Sequence, residues 1–189
     1  MNILYINATV NPDSRTKRLA KYVLNKLNGN VKEINLEKEK IKPLDGKLVQ
    51  KRSKLIAERN YNDSIFDYSK EFSKADIIVI AAPHWDLSFP ATLKIYIEAI
   101  NVPGITFAYS NEGKPYGLCK AKMLIYITTS GGEIISQDYG LGYIKSLAQM
   151  FYGIKDVICI KAENLDIDGA DTEEILKNVE YDIDELFNQ

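Results

Sequence analysis

The chain has 189 residues, of which 46% are hydrophobic and 26% charged, with a formal net charge of -2. That length fits one domain, residues 1–189, with a full core, and the near-neutral balance creates no field that would draw nucleic acid or an anionic membrane. Cys119 and Cys159 lack metal or redox spacing, and no apolar run reaches the roughly 20 residues of a membrane-spanning helix.

The first residues, Met1-Asn2-Ile3-Leu4-Tyr5-Ile6, form a short strand-like run with no basic region before it and no cleavage-type sequence after it. This is not the pattern of a signal peptide, and a soluble, cytoplasmic protein is expected. The first strand covers residues 3–6. A helix over 16–27 follows, with Leu19, Ala20, Val23, Leu24 and Leu27 as its apolar positions. The nearby basic residues Arg15, Lys17, Arg18 and Lys21 read as a solvated face, with phosphate steering as the alternative. Residues 31–36 alternate as a second strand. The charged stretch 37–59, broken by Pro43 and Gly46, holds a short helix over one sheet edge, and Leu48, Leu55 and Ile56 do not settle its docking.

A helix over 65–74 leads into a buried strand over 77–81. The next helix is marked by Leu93, Tyr96, Ile97 and Ile100. Residues 102–122 form a long loop with Gly104, Gly113, Pro115 and Gly117, and a loop of that length in a compact domain is usually functional. Then come a strand over 123–128, a helix over 141–151, and a strand over 157–161 with Cys159 as a small buried residue. The last helix spans 172–187, with Thr172 as N-cap and Glu173 and Glu174 in its first turn.

Strands alternating with helices imply an α/β sandwich of three layers, in which a parallel sheet with right-handed crossovers carries helices on both faces. In such sheets ligands bind outside the carboxyl ends of the strands. Three of those ends carry unusual chemistry. Asn7 to Thr16 has no glycine, so it is neither a dinucleotide fingerprint nor a Walker loop, but it offers Thr9, Ser14 and Thr16 hydroxyls where a helix begins. One phosphate is its natural occupant, and simple helix capping by Asp13 or Ser14 is the alternative.

The second loop, Ala81 to Pro90, sets Trp85 as a flat wall between two prolines; a surface aromatic packed on its own helix is the alternative. The third, Thr129-Ser130-Gly131-Gly132, lets backbone N–H groups approach a ligand closely, or is only a tight strand-to-helix turn. A ligand with a phosphate at one end and a planar, hydrogen-bonding ring at the other satisfies all three.

The motifs in these loops are those of a known family. Ser14-Arg15-Thr16-Lys17-Arg18-Leu19 matches a Ser-x-Ser/Thr-x-x-Leu pattern. Ala81 to Asp86 with Leu93-Lys94-Ile95-Tyr96 matches an Ala-Ala-Pro-x-aromatic-Asn/Asp loop and its Leu-Lys-x-Tyr helix. Gly104 to Tyr109 matches Gly-x-Thr-Phe-x-Tyr, Thr128 to Gly132 a Thr-x-x-Gly-Gly turn, and Phe151-Tyr152-Gly153-Ile154 a Phe-x-Gly-Ile segment. Over most of its length the chain resembles the flavodoxin-like FMN-dependent NADH azoreductases and NAD(P)H quinone oxidoreductases.

The resemblance implies a flavodoxin-like fold with five parallel strands in the order 2-1-3-4-5. It implies FMN as cofactor, NADH or NADPH as co-substrate, quinone or azo compounds as acceptors by a ping-pong cycle, and a homodimer. Ser14, Arg15 and Thr16 would bind the FMN phosphate, with Thr9 closing that loop. Pro83, His84, Trp85, Asp86 and Leu87 would line the isoalloxazine, with main-chain N–H groups near its N5 and O4 edge. Thr129, Ser130, Gly131 and Gly132 would face the pyrimidine edge, and Tyr109 and Phe151 the substrate side. No side-chain nucleophile is implied. The family often has Met at position 84 and Asn at 86, where this chain has His and Asp. A flavodoxin-type electron carrier on the same fold is the alternative reading.

Overall fold

The computed structural model of the chain describes residues 1–188. Five strands form the main sheet: β1 (Asn2–Asn7), β2 (Asn30–Asn35), β3 (Ile77–Ala81), β6 (Met123–Thr129) and β7 (Asp156–Ala162). Two more, β4 (Phe107–Tyr109) and β5 (Pro115–Gly117), pair antiparallel as a separate hairpin. Along β1, Leu4 and Ile6 belong to one core and Ile3 and Tyr5 to the other; β3 repeats this with Ile78 and Ile80 against Ile77 and Val79. A strand buried on both faces needs helices on both sides of its sheet. The helices α1 (Arg15–Lys26) and α6 (Thr172–Phe187) cover one face through Leu19, Val23, Leu176 and Ile183. The helices α3 (Asp67–Lys74), α4 (Ala91–Ile100) and α5 (Tyr143–Leu147) cover the other through Phe72, Leu93, Tyr96 and Ile144.

The sheet is parallel, in the order β2-β1-β3-β6-β7. Counted without the hairpin, this is the expected 2-1-3-4-5. The order places the carboxyl ends of β1, β3 and β6 side by side, with Asn7 opposite Ala81 and Ala81 opposite Ile127.

Several boundaries differ from the sequence expectation for local reasons. The last strand runs to both ends of its ladder with β6, from Asp156 opposite Met123 to Ala162 opposite Thr129. The N-cap of α6 is Asp171, not Thr172: its carboxylate accepts the Glu174 N–H at 3.0 Å, while the Thr172 hydroxyl donates to the Leu165 carbonyl at 2.9 Å. Gly46 does not break a helix but begins α2 (Gly46–Ala57), because Asp45 caps it through the Leu48 N–H at 2.8 Å. That helix buries none of its residues and is tethered by Arg52, which donates to the Glu98 carbonyl at 2.8 Å, and by the Lys51–Asp63 pair.

The expected helix over 141–151 is longer and irregular. Wide π-type turns, Asp138–Gly142 and Ala148–Tyr152, flank α5. The long loop before β6 is ordered by Thr106, whose buried hydroxyl donates to the Ile100 carbonyl at 2.8 Å and accepts the Val102 N–H at 3.1 Å. Its hairpin sits against the second π-type turn at Gly117, where any Cβ would overlap the Tyr152–Gly153 backbone. Among the described residues no helix is long and apolar enough to cross a membrane.

Candidate functional site

The three sequence-selected loops meet, and backbone bonds stitch them. The Ala8 N–H donates to the Ala81 carbonyl at 2.9 Å, the Ala82 N–H to Ile127 at 3.0 Å, and the His84 N–H to Thr129 at 2.9 Å. Each loop therefore leaves its strand already bonded to the next strand's end. A side-chain bond adds to this: the Thr16 and Thr129 hydroxyls lie 2.6 Å apart, joining α1 to the end of β6.

In the first loop the hydroxyls play different parts. Thr9 is buried, and its hydroxyl and N–H both donate to the Asn7 side chain, at 2.7 and 3.0 Å, which folds the chain back on itself. Ser14 is the N-cap of α1 and accepts the Lys17 N–H at 3.2 Å. Thr16 is 1% exposed and turned inward to Thr129, so it acts as a strut. The Arg15 and Thr16 N–H groups have no acceptor among the described residues. A 12-residue helix thus opens with free donors and the positive end of its dipole, the environment an anion requires.

Arg15 does not extend over that helix end. Its guanidinium donates to both Asp166 carboxylate oxygens, at 2.7 and 3.3 Å, and to the Leu165 carbonyl at 3.2 Å. The Arg15 hydrogen bond holds the Asp166 carboxyl below the usual carboxylate range. Arg18 is likewise held, by Glu173 and Glu180.

The second loop is a two-residue turn in which Trp85 and Ser88 exchange backbone hydrogen bonds at 3.1 and 2.8 Å. Its central residues Asp86 and Leu87 have φ of +49° and +66°. Trp85 and Leu87 stand 46% and 56% exposed, an apolar surface beyond the carboxyl end of β3, which adjoins the end of β1. The His84 and Trp85 N–H groups are spent inside the protein; those of Asp86 and Leu87 have no acceptor among the described residues. These two are the donors such a wall can offer a ring edge. Pro83 is half-buried under the turn, and the Ser88 hydroxyl donates to the Tyr139 carbonyl at 2.7 Å, tying the turn to the first π-type turn.

The third loop presents the free N–H groups of Gly131 and Gly132, which have no acceptor among the described residues, while Ser130 donates to the Ala162 carbonyl. Gly132 opens to space, but a Cβ on Gly131 would overlap the Asp166 carboxylate. The segment after β7 closes the site's far side: Asn164, Leu165 and Asp166 N–H groups bond the carbonyls of Gly132, Ser130 and Gly131. Sequence reasoning missed this segment and Asp166. The signal was available, since a polar run after the last strand falls next to the fourth strand's end.

The His84 side chain lies beside Gly140, whose added Cβ would stand 3.9 Å from Nδ1. The imidazole lines a crevice behind the turn, with Tyr126 and Thr128 of β6, Cys159 and Lys161 of β7, and Ser136 and Gly140. Tyr109 and Phe151 form a cluster of their own around buried Phe107, with ring centroids 5.5 and 4.6 Å from it.

The donor set fits a singly phosphorylated flavin: free amides at a capped helix end for the phosphate, an exposed indole and turn amides for the ring, and glycine amides for its polar edge. A family of proteins with a flavodoxin-like fold matches residues 1–186. An FMN-dependent NADH:quinone oxidoreductase of Clostridium perfringens is 37% identical over 181 residues, covering 91% of this chain and 90% of the relative. A second such protein from Clostridium acetobutylicum is 38% identical over 188 residues, covering 93% and 92%. The solved FMN-dependent NADH-azoreductase of Bacillus anthracis in complex with FMN shares the fold, with a TM-score of 0.80, 22% identity, and coverage of 99% of this chain and 97% of that one.

Proposed function

The chain belongs to this flavodoxin-like fold family, and from that premise we propose the roles of its residues in an FMN-dependent NAD(P)H oxidoreductase acting on quinone or azo acceptors. The observation that carries the reading is the stitching of three loops, by the Ala8, His84 and Thr16 bonds, around one set of unspent donors and one exposed indole. The relatives at 37% and 38% identity are named as enzymes.

FMN, when bound, supplies two-electron transfer at its isoalloxazine ring, and the protein supplies binding, orientation and electrostatics. The N–H groups of Arg15 and Thr16 and the Ser14 hydroxyl hold the phosphate; hydrogen bonds to a charged group are worth roughly 1.5–3 kcal/mol each. Thr9 and Thr16 keep that loop closed from within. Trp85 and Leu87 support the ring, and the Asp86 and Leu87 N–H groups bond its edge. Gly131 and Gly132 N–H groups stabilise negative charge gathering on the ring's pyrimidine side. Arg15, neutralised by Asp166, orients the loops rather than touching the phosphate.

The donor and the acceptor use the same open face in turn, which gives ping-pong kinetics. Tyr109 and Phe151 line the acceptor's side of that space. Tyr109, Tyr116, Leu118 and Met150 stand exposed on the hairpin and the turn it packs against, and a second copy of the chain covers them in a homodimer. The enzyme works in the cytoplasm, where NAD(P)H is supplied and Cys119 and Cys159 stay as the free thiols they are here.

Steady-state assays with NADH or NADPH against a water-soluble benzoquinone and an azo dye test the reading. Double-reciprocal plots at several acceptor concentrations are expected to be parallel. Intersecting lines would contradict shared use of one face, and FMN-loaded protein inert to both nucleotides would overturn the assignment.

A further inference from the structure

The two loops assigned to the ring carry negative charge and no lysine or arginine. Asp86 is the one carboxylate of residues 81–90, and Glu133 and Asp138 are the charged residues of 129–142. The first cation beyond them along the chain is Lys145 of α5. All three carboxylates are exposed, and none enters an ion pair among the described residues. The neighbouring charges are spent: Glu112 of the hairpin on Lys114, Lys94 on Glu98, Lys161 on Glu163, and Arg15 on Asp166. Asp138 accepts the Ser136 hydroxyl at 3.2 Å, and its π-type turn is tied to the Trp85 turn by the Ser88–Tyr139 bond.

Covalent geometry fixes how near Asp86 stands to whatever takes its amide. The residue occupies a central position of the two-residue turn, with φ of +49°, and its N–H is one of the turn's two unspent donors. An aspartate carboxylate lies within roughly 4 Å of its own nitrogen, and an N–H bond to an acceptor adds roughly 3 Å. The charge therefore stands within roughly 7 Å of the ring edge that this amide holds. At that distance, in near-aqueous surroundings, it changes the binding constant of a singly charged group by about threefold. Trp85 and Leu87 beside it offer apolar surface and no counter-charge.

Resting on the flavin reading above, we propose that Asp86 sets the charge of the acceptor that the open face takes. Neutral and cationic quinones and azo compounds are favoured, and those whose reacting ring bears a sulfonate or carboxylate are disfavoured. Glu133 and Asp138 add to the same field from the rim. The donor escapes the penalty at its reacting end, because a dihydronicotinamide ring is uncharged and the nucleotide's negative charge lies on its diphosphate.

Titration of oxidised FMN-loaded protein with naphthalene-2-sulfonate and with N-methylquinolinium, flat rings of like size and opposite charge, tests this without turnover. Asp86→Asn removes the charge and keeps the amide, and Asp86→Gly does so with a second residue that the left-handed turn accepts. At low ionic strength either variant should bind the sulfonate about threefold more tightly than wild type, and the quinolinium about threefold more weakly. Added salt should erase the difference. In turnover, the kcat/KM ratio of a trimethylammonium azo dye to its sulfonated analogue should fall about tenfold in both variants. A loss common to both probes reports the turn rather than its charge, so the ratio decides. Failure of the wild type to take up FMN overturns the flavin reading and this inference together. FMN-loaded protein whose preference between the two probes is unmoved by either substitution overturns this inference alone.

Discussion

Asp86 and Leu87 hold the left-handed backbone conformation that a two-residue hairpin turn requires; aspartate tolerates it, whereas leucine does not favour it. Asparagine and glycine are the usual occupants of such turns, because one tolerates the conformation and the other has no Cβ to clash. The strain persists because the Trp85–Ser88 bonds, the His84–Thr129 bond and the Ser88–Tyr139 bond fix the turn from three sides. Strain of this kind concentrates where a protein binds its ligand. Leu87→Gly is expected to stabilise the FMN-free protein by about 1 kcal/mol in urea denaturation, since the strained conformation costs roughly that much for a non-glycine residue. The same variant should bind FMN more weakly, having lost part of the apolar wall. A variant that is less stable and binds FMN as tightly would contradict both roles.

Between elements, the contacts that matter most are the ones a linear reading could not supply. The Arg15–Asp166 pair joins the start of α1 to the segment after β7, 151 residues away, and the Asp166 carboxylate rests against Gly131. Gly131→Ala must push that carboxylate aside and break its bond to Arg15. The pair is partly exposed, so the stability loss should be under about 1 kcal/mol. The FMN dissociation constant should nonetheless rise severalfold, because the glycine loop and the phosphate loop lose their common anchor. Calorimetric titration measures it, and an unchanged constant would show that the latch has no bearing on the site.

The five strands of the main sheet and the three loops are legible from hydrophobic periodicity and turn residues, which are local signals; the strand order rests on the family resemblance, and the β4–β5 hairpin lies inside what reads as a loop. Ile77–Ala81 and Thr172–Phe187 are bounded as expected. The direction of the His84 ring, the inward turn of Thr16 and the capture of Arg15 by Asp166 were not legible. Each depends on which neighbour the fold delivers, and no spacing along the chain encodes that. The π-type turns on either side of α5 follow the same rule: Leu141 and Phe151 within them, with Ile144 and Leu147 of α5 between, read as one ordinary helix.

At the scale of the whole molecule, ion pairs set the response to acid. Hydrogen bonds from Lys51, Lys120, Arg15 and Lys26 hold Asp63, Asp76, Asp166 and Asp184 below the usual carboxylate range. A carboxylate depressed in the folded state contributes stability above its unfolded pKa and loses it as pH falls through the folded value. Stability should therefore be level from pH 7 to about 5 and decline below about 4, with proton uptake on unfolding. Denaturation midpoints across that range check the sign; stability rising toward pH 3 would contradict it. These pairs are partly exposed, so added salt should flatten the decline.

Flavin binding requires the three strand ends to form one site, with the single phosphate at the start of α1. Calorimetric titration of flavin-free protein with FMN and with riboflavin tests this most directly. One FMN per chain should bind at least about tenfold more tightly than riboflavin, from the charge-assisted bonds of the Arg15 and Thr16 amides and Ser14. Equal affinity for the two, or no binding of either, would contradict it.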